Sequence, residues 1–164
     1  MGNLFRGGGL DLDISNGGTD VFLSVLQFAL SDLAVEPWQD ELAQWVAWRD
    51  QALVGLGTVG FDLEEIHWDP ARFGEQKAFL LRAVDTAASR YRWSELCYDP
   101  PYAEAHLHRY REVVAAFELP PDFRPAAGYG WPGPWREGLR CPRHGVHCCA
   151  ELGSCRVCED CGEP

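Results

Sequence analysis

No stretch of this sequence stays apolar for the eighteen or so residues that a bilayer-spanning helix requires. The best candidate, Val21 to Leu30, is broken by Ser24 and Gln27 and stopped by Ser31 and Asp32. The opening Met1-Gly2-Asn3-Leu4-Phe5-Arg6 has no hydrophobic core for a secretion signal, and Arg6 stands where myristoylation needs serine or threonine. These absences predict a cytoplasmic chain with no membrane anchor. Lysine is almost missing: Lys77 is alone against thirteen arginines, a usage that fits a high-GC bacterial genome. No GxxxxGK phosphate loop can therefore be built, and no GxSxG nucleophile elbow occurs. Gly55-x-Gly57-x-x-Gly60 matches the dinucleotide fingerprint in letters only, because a helical pattern precedes it where a strand is required.

What is abundant is acid, and it is unevenly placed. The net charge is −11; residues 1–70 carry twelve acids against Arg6 and Arg49, residues 71–119 balance seven against seven, and residues 120–164 carry six acids against five bases. Such a field repels nucleic acid and favours a basic protein partner, chiefly by raising the encounter rate. Solubility is the plainer explanation of the same charge. The 164 residues, 46% apolar and 12% aromatic, suffice for one folded core with a small appended module.

The alternation Leu10-Asp11-Leu12-Asp13-Ile14 between glycine pairs predicts a short strand. From Thr19, read as an N-cap, Phe22, Val25, Leu26, Ala29, Leu30 and Leu33 form a helical stripe. Pro37 opens a second helix, bearing Trp38, Leu42, Trp45, Val46 and Leu53 and ended by Gly55 and Gly57. Asp62 and Glu65 have capping-box spacing. Asp69 and Pro70 start a third helix that runs to about Arg92 with Tyr91 inward, and Tyr102 to Phe117 make a fourth, stopped by Pro120-Pro121. The expectation is a mainly α protein: a bundle of about four amphipathic helices over residues 1–119, a Pro/Gly/aromatic linker over 120–138 laid upon it, and a metal-binding module with a β-hairpin over 139–164.

Cysteine is crowded into that module. Of the seven cysteines, six fall between positions 141 and 161 beside His144 and His147, whereas a disulfide framework would spread them along the chain. Cys141-x-x-His144-Gly145 and Cys158-x-x-Cys161-Gly162 each have the two-residue spacing that lets a tight turn aim two donors at one ion, with glycine relieving the backbone. Between them, residues 146–150 and 154–157 are expected to pair as a hairpin. This tail resembles the zinc-ribbon class. The resemblance implies a structural zinc held by Cys141, His144, Cys158 and Cys161, with Cys155 as the alternative ligand because Cys155-x-x-Cys158 is a second knuckle sharing Cys158. Cys97 lacks a basic neighbour in sequence and reads as a buried thiol.

Four ready ligands close the metal's coordination shell, and no catalytic constellation stands elsewhere. His67, among Glu64, Glu65 and Asp69, reads as a capping and surface residue rather than an acid–base centre; His106 reads as core and His108 as solvated. The chain resembles, in size, charge and helical architecture, the acidic bacterial immunity proteins that neutralise basic toxins or nucleases. That resemblance implies electrostatic docking through acids such as Asp40, Glu41, Asp62, Glu64, Glu65 and Asp69. The alternatives are a zinc-ribbon adaptor in which Arg136, Arg140, Arg143 and Arg156 touch phosphates, and an enzyme centred on Cys148, Cys149 or His67.

Overall fold

The computed structural model describes residues 3–51, 57–125, 140–148 and 155–162. The chain is mainly α. Strands β1 (Asn3–Gly7) and β2 (Leu10–Ile14) form an antiparallel hairpin in which Phe5 faces Leu12, and both are buried. Gly8 and Gly9 make the turn with φ of 58° and 74°, a left-handed backbone that glycine adopts without strain. The turn also lies against the end of the fourth helix, where a Cβ on Gly8 would meet the Ala116 backbone.

Helix α1 (Asn16–Leu33) begins earlier than the sequence pattern suggests. Ser15 is its N-cap, with Oγ accepting from the Gly18 N–H at 3.2 Å, and Thr19 sits inside the first turn, its hydroxyl donating to the Ser15 carbonyl. Every residue from Phe22 to Ser31 is buried, so α1 is the central helix rather than an amphipathic one on the surface. Of its buried polar side chains, Ser24 donates to the Asp20 carbonyl at 2.9 Å, and the Gln27 amide donates across to the Ala43 carbonyl at 3.0 Å, leaving Gln27 Oε1 without a partner among the described residues. No helix of the described residues is long and apolar enough to cross a membrane.

Helix α2 (Pro37–Trp48) starts at proline as expected, with Gln39 of a Glu36–Gln39 capping box returning its side-chain oxygen to the Glu36 N–H. It stops at Trp48, short of Gly55. Strands β3 (Asp50–Gln51) and β4 (Gly57–Thr58) pair there instead, and Leu53 and Gly55 lie outside the described residues. The Asp62–Glu65 capping box is present and caps a short 3-10 turn at Leu63–Glu65. Helix α3 (Phe73–Ala88) begins after a turn in which Asp69 accepts from the Ala71 N–H, so Asp69 caps that turn and not the helix.

Helix α3 also ends before Arg92, because Arg90 and Arg92 turn left-handed with φ of 64° and 59°. That swing leaves Tyr91 exposed instead of inward. Helix α4 (Ala103–Ala116) follows, with Tyr102 exposed at its start, and the lone lysine donates to the Phe117 carbonyl at 2.7 Å to close its end. His106 is half-buried, with burial holding its pKa below the usual histidine value, and His108 is exposed.

Helix α1 packs on α2, α3 and α4, α3 packs on α4, and β2 closes over α4. Phe5, Phe22, Phe61 and Tyr110 meet edge to face at the centre, with centroids 4.9 Å apart for Phe5–Phe22 and 5.2 Å for Phe22–Tyr110. Burying each such ring contributes about 1.5–3 kcal/mol.

The described tail joins this same core, since Cys141, Val146, Cys148, Cys155, Val157 and Cys158 are all buried within it. Arg140 bridges antiparallel to His147, and Arg156–Asp160 form a short helix, α5. The expected pairing of residues 154–157 as a strand is therefore not formed: Arg156 and Val157 are helical, and residues 149–154 lie outside the described set. So do residues 126–139, which include most of the expected laid-over linker; of its start, Phe123 is buried.

Candidate metal centre

The knuckle at Cys141 closes as its spacing predicts. The Gly145 N–H donates to the Cys141 carbonyl, and the Cys141 N–H donates to the Val146 carbonyl, both at 2.8 Å. Gly145 has φ of 67°, which allows the chain to turn back so tightly. The second pair of donors comes from a helix instead of a second knuckle: Cys155 immediately precedes α5 and Cys158 lies on its first turn.

These two units bring Cys141, His144, Cys155 and Cys158 together, with one donor atom from each and all four within 4.8 Å of one another, close enough to hold a metal ion. Cys158 Sγ lies 3.6 Å from both Cys141 Sγ and Cys155 Sγ. His144 presents Nδ1 at 3.6 Å from Cys141 Sγ, 3.2 Å from Cys155 Sγ and 3.4 Å from Cys158 Sγ. All three cysteines are buried. Burial alone would raise the Cys141 thiol, yet backbone N–H groups of His144 and Arg143 donating to its sulfur bring it down to about 6, while burial pushes Cys155 up.

Cys161 is not in the cluster. It forms a disulfide with Cys97, so its sulfur has no thiolate to offer, and Cys155 stands in the position first assigned to it. Cys97 is accordingly neither a thiol nor buried; it is exposed on the segment that links α3 to α4.

No known family model, curated protein or solved structure matches this chain.

His147, adjacent to the cluster in sequence, is used elsewhere. Ser31 Oγ accepts from the Gln27 amide at 3.1 Å and from the His147 backbone N–H at 2.9 Å, which leaves its own proton for His147 Nδ1 at 2.9 Å. The ring's other nitrogen, Nε2, then carries a proton and donates to Asp40 Oδ1 at 3.1 Å. Burial first, then the Arg140 charge, lower the ring's pKa to about 4 against the pull of Asp40, so it is neutral at pH 7. Serine, histidine and aspartate in line are the residue types of a hydrolase triad. Here Ser31 is 0% exposed and both its lone pairs are engaged, so the trio fastens the tail to α1 and α2 and attacks nothing. Sequence spacing could not reveal it, because its members lie on three separate elements.

The acids expected to face a partner divide in two. Asp40 is spent on Arg140 at 3.0 Å and on His147; Glu65 is spent on Arg49 at 2.7 Å, and Asp62 lies 3.7 Å from Arg6. Glu41, Glu64 and Asp69 have no salt bridge among the described residues, and Glu64 and Asp69 are exposed. His67 is half-buried, and its carbonyl accepts from the Trp38 indole at 2.8 Å. Two of the arginines considered for phosphate contact, Arg140 and Arg156, pair with Asp40 and Asp20.

Proposed function

We propose that Cys141, His144, Cys155 and Cys158 hold a structural zinc ion, and that the chain is a non-catalytic acidic binding protein whose fold this ion completes. The carrying observation is the donor geometry. A tetrahedral zinc with bonds of about 2.3 Å to sulfur and about 2.0–2.1 Å to nitrogen has S···S edges near 3.8 Å and N···S edges near 3.6 Å. The two Sγ–Sγ separations from Cys158, both 3.6 Å, and the Nδ1–Sγ separations of 3.2–3.6 Å fit that figure, and the remaining Cys141–Cys155 edge lies within 4.8 Å. Three thiolates and an imidazole are the soft and borderline donors that zinc prefers, and four of them leave no position for substrate.

The binding half of the proposal rests on charge. After internal pairing, Asp11, Asp13, Glu41, Glu64 and Asp69 still present carboxylates from the acidic first half of the chain, without salt bridges among the described residues. A cationic protein is the partner class that such a surface attracts, and an immunity-type inhibitor of a basic toxin or nuclease is its most specific form. The test has two parts. Protein purified under reducing conditions should carry one zinc per chain, and its association with a basic nuclease should weaken steeply with salt and on Glu64→Lys. A metal-free, fully folded protein removes the first half; salt-independent or absent association removes the second.

A further inference from the structure

Both halves of the metal centre are gripped by one segment, residues 89–102 between α3 and α4. Arg92 from that segment donates to the carbonyl of His144 in the knuckle at 2.6 Å, and Cys97 from it is bonded to Cys161 just past the end of α5, the helix that carries Cys158 and follows Cys155. The helical bonding of α5 continues to Cys161, whose N–H donates to the Val157 carbonyl at 3.1 Å. Cys161 thus stands one turn beyond Cys158 on the same face. The ligand sulfurs are buried, whereas Cys97 is exposed, so an incoming thiolate reaches the disulfide and not the metal thiols.

We propose that the Cys97–Cys161 disulfide is a redox latch on the metal centre: oxidised, it clamps the ligand helix and keeps Cys161 out of the coordination shell; reduced, it frees the helix and supplies a competing thiolate three residues from Cys158. This rests on the zinc reading above. The chemistry needs a low-molecular-weight thiol as reductant. Its thiolate attacks the sulfur of Cys97, an exposed residue, forms a mixed disulfide there and expels Cys161 as thiolate. A second thiolate attacks the outer sulfur of that mixed disulfide, releasing Cys97 as thiolate and the small molecule as its own disulfide. Two thiols are oxidised by two electrons in all as the protein disulfide is reduced by two, and a low-molecular-weight disulfide drives the reverse.

The test is the rate of zinc transfer from the full-length protein to a chromogenic chelator. It is measured for the oxidised protein, for protein reduced with a phosphine that is then removed, and for reduced protein reoxidised with glutathione disulfide. Reduction should speed release by roughly tenfold or more, since it removes a cross-link that restrains the opened state, and reoxidation should restore the slow rate. The double variant C97S/C161S should release rapidly whatever the redox treatment. Cobalt substitution gives a second readout: in Cys97→Ser the freed Cys161 should change the thiolate-to-cobalt charge-transfer band relative to the oxidised wild type, shifting it where Cys161 replaces Cys155 and intensifying it where Cys161 replaces His144, and an unchanged band counts against the latch. Zinc bound stoichiometrically but released at one rate in all forms overturns the latch and leaves the zinc reading standing; absence of zinc from every form overturns both.

Discussion

Arg92 donates a 2.6 Å hydrogen bond to the carbonyl oxygen of His144, fifty-two positions later in the chain. The same guanidinium pairs with Asp32 at 3.0 Å and Glu95 at 2.7 Å and lies 4.6 Å from the centre of the Phe28 ring. One mostly buried side chain therefore ties the metal knuckle to α1 and to the α3–α4 segment. Arg92→Ala should destabilise the fold by about 1–2 kcal/mol, because it strands the His144 carbonyl and strips the guanidinium from the Phe28 ring, while the exposed Asp32 and Glu95 regain water. Arg92→Lys should recover less than half of that, since an ammonium cannot serve three directions in a plane. Urea titration of the zinc-loaded protein measures both.

The buried histidine gives a pH signature. In the unfolded chain His147 titrates near 6.5, while in the fold it is held at about 4, so the unfolded state binds the extra proton between those values. Its contribution is fully present above pH 6.5, is lost as pH falls toward 4, and changes no further below that. The total is about 3 kcal/mol at most. Metal ligands also take up protons on acidification, so the comparison is with His147→Gln. That variant should be less stable at neutral pH and show a shallower fall between pH 6.5 and 4.

Zinc removal should act first on the tail. Chelation, or His144→Ala or Cys155→Ser, should abolish stoichiometric zinc and lower the thermal midpoint. Limited proteolysis of the metal-free protein should cut beyond residue 125 well before it cuts α1. Simultaneous cleavage of tail and bundle would show that the ion supports the whole core.

At Gly60 the constraint is close packing, because a Cβ would run into the backbone of Leu4. Gly60→Ala should cost about 2 kcal/mol or more, as the β1–β2 hairpin must shift to admit it. Gly9→Asn should cost less than about 1 kcal/mol, since its turn has open space and asparagine tolerates the left-handed backbone. Thermal melts of the two variants decide the point.

Local rules made much of this legible. Pro37 starts its helix, the Asp62–Glu65 box caps its turn, the Leu10–Ile14 alternation is a strand, and Gly145 closes the first knuckle. What local spacing does not carry is tertiary context. Cys155-x-x-Cys158 and Cys158-x-x-Cys161 are equivalent as spacings, and what separates them is Cys97, whose proximity is set by the α3–α4 turn and has no sequence signal. Helix α3 carries an apolar pattern through Tyr91, yet the left-handed Arg90 and Arg92 end it, held there by ion pairs to Glu104, Asp32 and Glu95. His147 is the ligands' neighbour in sequence, yet Ser31 and Asp40 engage the two nitrogens of its ring, a pairing no spacing encodes.

Four ion pairs join acids near the start of the chain to arginines in its later parts. Asp20 meets Arg156, Asp32 meets Arg92, Glu36 meets Arg72 and Asp40 meets Arg140. During synthesis, then, the amino-terminal helices leave the ribosome before their counter-ions exist, and Asp20 and Asp40 wait longest. Residues 140–164 bring three bases against four acids, so their arrival does not lower the net negative charge; it quiets Asp20 and Asp40 by pairing alone.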